Sequence, residues 1–182
     1  MSSSRKHISR APAAVLVVGL LLAVGLVFFG ASLASAPAPA PGIEQPGTPD
    51  SPRDVTVILR DYAFNPDPLY LLAGETVRFT IVNGGLIEHE FVLGDASVQA
   101  AWAEADARAS AAAPFATSPP ASVSSLVGGL RLLVGSGRTV VALHDVPAAT
   151  GIELACHLPG HLQQGMRARV VLAVANMSDP TT

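Results

Sequence analysis

The sequence predicts an all-β domain, a Greek-key β-sandwich with one helical insertion, preceded by an N-terminal signal or anchor helix. Three observations lead there. About seven short runs rich in β-branched residues alternate apolar and polar positions between Gly, Pro and Asn turns. One alanine-rich stretch lies between strands without a βαβ rhythm, which argues against a parallel sheet. The first 36 residues stand apart through a basic start and a long apolar run.

Residues 1–36 carry Arg5, Lys6 and Arg10, then an uncharged apolar run over 11–33, then Ala34-Ser35-Ala36. That order describes an export signal with cleavage after Ala36. At about 1.5 Å per residue the run is also long enough to span a bilayer of roughly 30 Å, so an uncleaved anchor stays open. Either way the basic flank stays inside and the rest of the chain is expected outside the cytoplasm. The sole cysteine lies far beyond the run, which excludes a lipoprotein anchor. Residues 37–53 are rich in Pro, Ala and Gly and read as a linker.

The folded domain is expected over 54–176, with a tail at 177–182. Residues 54–60 (DVTVILR) alternate and form a strand. Asn65-Pro66 and Asp67-Pro68 break the pattern, and 69–73 resumes it up to the Gly74-Glu75 turn. Residues 76–82 (TVRFTIV) are a strand, closed by Asn83-Gly84-Gly85. In the strand expected at 87–93, His89, Phe91 and Leu93 share one face, and Glu88, Glu90 and Val92 the other. Residues 95–113 lack Gly and Pro, with Asp95 or Ser97 as N-cap, and predict a helix anchored by Trp102. Residues 114–125 are a Pro/Ser/Thr loop, and 127–134 fit either element. Strands are expected at 139–143, 152–156 and 168–174.

Beyond residue 36 the chain has eight Arg, no Lys and fourteen Asp or Glu, a formal charge of −6. A basic nucleic-acid footprint is absent. An acidic exported domain suits small ions or a partner with a basic face. A lone cysteine in this compartment cannot form an internal disulfide, which leaves a small buried hydrophobe or a metal-held thiol.

The residues after that cysteine favour the metal. In Cys156-His157-Leu158-Pro159-Gly160-His161-Leu162-Gln163-Gln164-Gly165-Met166 a thiol, an imidazole and a thioether recur at steps of five residues. This is a soft ligand set suited to copper. A blue-copper site needs two imidazoles, one thiolate and a weak axial thioether. His89 is the best second imidazole, because a histidine among apolar neighbours needs a hydrogen bond or a metal. His157 is expected to point away from the site into a surface role, and His144 to be exposed or capped.

The stretch from Asn83 to Phe91 and the loop from Cys156 to Met166 resemble the cupredoxin family, in its plastocyanin/azurin-like group, over about residues 54–175. The resemblance implies a Greek-key sandwich with one type 1 copper per chain, held by His89, Cys156, His161 and Met166. Two departures stand out. Many cupredoxins have Asn after the first histidine, tying the two ligand segments together; here it is Glu90. An aromatic residue is common two positions before the cysteine; here it is Leu154. Glu88 and Glu90 read as surface charge.

These features predict a monomeric, exported carrier of single electrons between redox proteins, such as a c-type cytochrome or a membrane oxidase complex. His161 is the expected exit, ringed by Leu158, Pro159, Leu162 and Met166. Copper storage or delivery without electron transfer is the alternative. An enzyme is not expected, because a second copper site needs further histidines, and no His-x-His pair occurs.

Overall fold

The computed structural model describes residues 45–116 and 121–173. The expected signal or anchor at 1–36, residues 37–44 of the linker and the tail at 177–182 lie outside the described residues.

Among the described residues there are nine strands and one α-helix: β1 (Arg53–Arg60), β2 (Ala63–Asn65), β3 (Leu69–Leu72), β4 (Thr76–Asn83), β5 (His89–Gly94), α1 (Ala96–Ala112), β6 (Leu130–Val134), β7 (Thr139–Asp145), β8 (Glu153–Ala155) and β9 (Arg167–Ala173). Two sheets result, with strand orders β2-β1-β4-β7 and β3-β9-β8-β5-β6. The chain crosses repeatedly between them, so neighbours such as β4 and β7, or β3 and β9, are distant in sequence. Most pairs are antiparallel; β1–β4 and β3–β9 are parallel.

The alternation read from the sequence turns the same residues inward. Val55, Val57 and Leu59 of β1 and Val77, Phe79 and Ile81 of β4 are buried from one sheet. Phe91 and Leu93 of β5 and Leu154 of β8 meet them from the other. The Phe79 and Phe91 rings, 5.3 Å apart and tilted, join the two layers. This interdigitation is the usual core of a face-to-face sandwich.

The segment around Asn65-Pro66 was expected to break the strand pattern, but Ala63–Asn65 folds back as β2 onto the end of β1. A three-residue edge strand is short enough to escape a period-of-two signal. The ambiguous stretch at 127–134 resolves into a 3₁₀ turn at Ser125–Val127 followed by β6.

Helix α1 begins where the sequence placed it. The Asp95 carboxylate accepts from the Ser97 and Val98 amides at 2.9 and 3.0 Å, satisfying donors left free in the first turn. The helix packs on the outer face of the second sheet. There the Gln99 side-chain amide donates to the carbonyls of Val92 (3.1 Å) and Glu153 (2.9 Å). Consequently every residue of β5 is buried, on both faces. Among the described residues no helix is long and apolar enough to cross a membrane.

Candidate metal centre

Strands β5 and β8 pair antiparallel, with Val92 opposite Ala155 and Leu93 opposite Leu154. The start of β5 therefore lies beside the end of β8, which brings His89 to Cys156. The loop from Cys156 to Met166 joins β8 to β9. Its base is closed by the Cys156 amide donating to the Met166 carbonyl at 3.1 Å. Tight turns fold its interior: the His161 amide donates to the Leu158 carbonyl (3.0 Å), and the Met166 amide to the His161 carbonyl (3.1 Å). Gly165 sits at φ +95°, a conformation that L side chains rarely adopt, and lets the chain reverse into β9.

These constraints gather three donors. The Nδ1 atoms of His89 and His161 are 3.2 Å apart, and Cys156 Sγ is 3.2 Å from His161 Nδ1. All three ligand atoms lie within 4.8 Å of one another, and all three side chains are buried. Among the described residues this is the one such cluster found. Met166 is fully buried and joins His161 and Cys156 through its main chain. Thus the structure brings together the three strong donors expected from sequence, with the expected thioether next to them in the loop.

Sequence reasoning missed the support of His89. Its Nε2 is 3.1 Å from Asp61 Oδ1, just past the end of β1. With Nε2–H donating to that carboxylate, Nδ1 is left with a lone pair turned into the cluster. Asp61 Oδ1 also accepts from the Leu86 amide at 2.9 Å. Desolvation works against the carboxylate here. The His89 bond and the Leu86 and Ile87 amides outweigh it, so Asp61 stays below its ordinary value. Gly85 leaves room for the contact: a Cβ there would sit 2.4 Å from Asp61 Oδ1 and 2.9 Å from His89 Nε2. Asn83 shapes the same loop, donating to the Ile87 and Val134 carbonyls at 2.8 and 2.7 Å. Tyr62 covers the centre, its ring edge-on to His161 at 5.3 Å. No spacing rule would single out Asp61, which precedes His89 by 28 positions.

The titrating groups are poised for a cation. Burial pushes the Cys156 thiol up to about 12, against the Glu90 and Leu158 amides that favour the thiolate. A metal at Sγ must displace that proton. Burial, and then the neighbouring His89, hold His161 below its ordinary value against the pull of Asp61. The shift favours the neutral imidazole, the form that ligates. Two imidazoles and a thiol with a thioether alongside fit copper; the thioether is a poor zinc ligand, and both sulfurs are poor partners for a hard cation.

Three expectations are corrected. Glu90 is fully buried, not surface charge, because α1 covers the outer face of β5. His157 does point away from the cluster, yet it packs against α1, with Nε2 2.8 Å from Gln99 Oε1. Leu158 and Met166 are 3% and 0% exposed, so they underlie the site and do not ring it. Of the residues expected around His161, Pro159 and Leu162 keep exposure, and Leu86 is 85% exposed. Leu86 lies in the loop that binds Asp61.

No family model matches the chain. It is 31% identical over 173 residues to the copper-resistant cuproprotein CopI of Pseudomonas aeruginosa, covering 85% of this chain and 92% of that protein. To the copper-resistant cuproprotein CopI of Rubrivivax gelatinosus it is 36% identical over 121 residues, 66% of each. Auracyanin B matches with a TM-score of 0.54 at 25% identity, over 72% of this chain and 96% of that one. Reduced auracyanin from Roseiflexus castenholzii matches at 0.52 and 19% identity, over 66% and 97%, a likeness of fold alone. The sandwich is thus the cupredoxin fold that the loop motif implied. Identity carried along nearly the whole Pseudomonas protein, on this fold, makes the chain a member of the CopI family of copper-resistant cuproproteins.

Proposed function

We propose that this chain binds one copper ion outside the cytoplasm at His89, Cys156, His161 and Met166, and carries single electrons between redox proteins. The observation that carries the reading is the closed, prearranged donor cluster, in which His161 alone retains some exposure, at 8%, against 0% for His89 and Cys156. Bound copper supplies a one-electron Cu(I)/Cu(II) couple. The sulfur donors favour the reduced ion and the imidazoles suit the oxidised one. Main-chain bonds across the loop base and the Asp61 bond to His89 hold the donors in place, so little rearrangement accompanies a change of charge. His161 is the exit for the electron, beside the apolar rim of Leu86, Pro159 and Leu162. A small rim of this kind suits brief encounters, and the acidic surface steers a basic partner such as a c-type cytochrome.

The names of the CopI relatives support a second reading, copper binding or delivery in copper resistance. The two readings share the same ligands and differ in what leaves the site. We read the chain as a carrier and not an enzyme, since only His144 and His157 remain among the described histidines and neither joins a further cluster.

Spectroscopy and kinetics on the exported domain separate these readings. Cu(II) added to residues 37–182 is expected to give an intense blue band that Cys156→Ser abolishes. Rapid oxidation of a reduced c-type cytochrome, with copper retained, supports electron transfer. Slow exchange with the cytochrome, but ready loss of copper to an acceptor, supports delivery. A colourless protein that holds copper equally well without Cys156 overturns the type 1 assignment.

A further inference from the structure

We propose that Glu90 is a positioning residue for Cys156, and that helix α1 takes part in the metal centre by holding the counter-charge this carboxylate requires. The inference rests on the copper reading of the site.

Glu90 holds the cysteine at two points. Its amide donates to Cys156 Sγ at 3.3 Å, and its carboxylate Oε2 accepts from the amide of His157 at 3.1 Å. It also follows His89 directly, so one residue ties the β5 ligand segment to the β8 ligand segment. An amide side chain could make the same tie without charge. A carboxylate that is 0% exposed cannot stand there alone, because a buried charge without a partner is strongly destabilising.

The counter-charge is Arg131 of β6. Its Nε donates to Glu90 Oε1 at 2.6 Å, and a second guanidinium nitrogen pairs with the same oxygen. Arg131 is in turn held by α1. The guanidinium carbon lies 4.5 Å over the Trp102 ring, and Asp106 Oδ1 is 3.5 Å from the guanidinium. Gln99 of the same helix bridges β5 and β8 and meets His157 Nε2. The residue after the cysteine is thus gripped from the strand side by Glu90 and from the helix side by Gln99. A helix inserted between strands has a use here: it makes a charged tie tolerable where a neutral one is common.

Two substitutions separate charge from geometry. Glu90→Gln keeps the shape and an acceptor oxygen but removes a negative charge near the thiolate. It is expected to leave the visible band in place and to shift the reduction potential upward. Glu90→Ala removes the tie, and is expected to shift the band and the copper hyperfine splitting. In the copper-free protein, exchange of the His157 amide becomes faster in Glu90→Ala, and to a lesser degree in Gln99→Ala. That last measurement needs no copper, so it still tests the tie if the wild-type protein shows no blue band. The proposal is overturned if Glu90→Gln keeps the wild-type potential, or if Glu90→Ala changes only the melting temperature. Should Glu90→Ala fail to fold, the potential of Glu90→Gln decides.

Discussion

His89 Nε2 sits 3.1 Å from Asp61 Oδ1, across 28 residues of sequence, linking β5 of one sheet to the turn that follows β1 of the other. The contact orients the imidazole before any metal arrives, and Asp61 itself lies near the surface. Asp61→Ala is expected to weaken copper binding by about 10- to 100-fold, the usual cost of losing a partner of a ligating histidine. Asp61→Asn, which retains an acceptor oxygen, loses less. The melting temperature of the copper-free protein changes little. Competition with a chelator of known affinity measures the loss, and equal affinity in wild type and Asp61→Ala would count against the role.

Gly85 makes the same contact possible without taking part in it. A methyl group there would overlap the Asp61 carboxylate and crowd the His89 ring. Gly85→Ala is therefore expected to lower copper affinity to a similar degree, though it removes no donor or acceptor. Because both changes break one contact, the double variant Asp61→Ala/Gly85→Ala is expected to lose little more than either alone, which is the signature of coupled sites. Fully additive losses in the titration would mean that Gly85 acts elsewhere.

How much of this was legible depends on the range of the interaction. Alternation exposed β1 and β4, because one face of each is buried, and β7, which alternates between exposed and half-buried positions; the period is local. The helix was legible for the same reason: Asp95 caps it within three residues. The donors in the loop were legible because Cys156, His161 and Met166 share one short segment. Asp61 was not, since the register of β1 against β4 is what sets it beside Gly85 and so near His89, and Gly85 itself read only as a turn residue. Glu90 was misread for a different reason. Parity places it opposite His89 correctly, but parity says nothing about what covers that face, and α1 does.

The core also carries a prediction independent of copper. Phe79 is fully buried at the centre of β4 and meets Phe91 of the opposite sheet at 5.3 Å. Phe79→Ala opens a cavity between layers that cannot easily close, and is expected to cost about 3–5 kcal/mol of folding stability. Urea unfolding of the copper-free protein checks this, through a lower midpoint with an unchanged slope. A loss below about 1 kcal/mol would mean that the sheets collapse into the space.

His144, at the β7 side of the first sheet, gives the pH prediction. Its Nε2 is buried and has no hydrogen-bond partner. Burial holds its pKa below the ordinary histidine value, against the opposing pull of Asp145. The unfolded chain therefore binds a proton more readily than the folded one, and stability rises with pH across the gap between the two values. The stabilisation is complete above the unfolded value of about 6.5 and is lost as pH falls from there through the folded value. His157 and His161 are depressed as well in the copper-free protein, so the wild-type slope alone does not isolate His144. The comparison with His144→Gln does. The variant is expected to lose stability less steeply than wild type between about pH 7 and pH 5, while above about pH 7 the two curves run parallel. Denaturant midpoints taken at half-unit steps of pH measure it, and curves that stay parallel down to about pH 5 would show that His144 is already solvated in the folded protein.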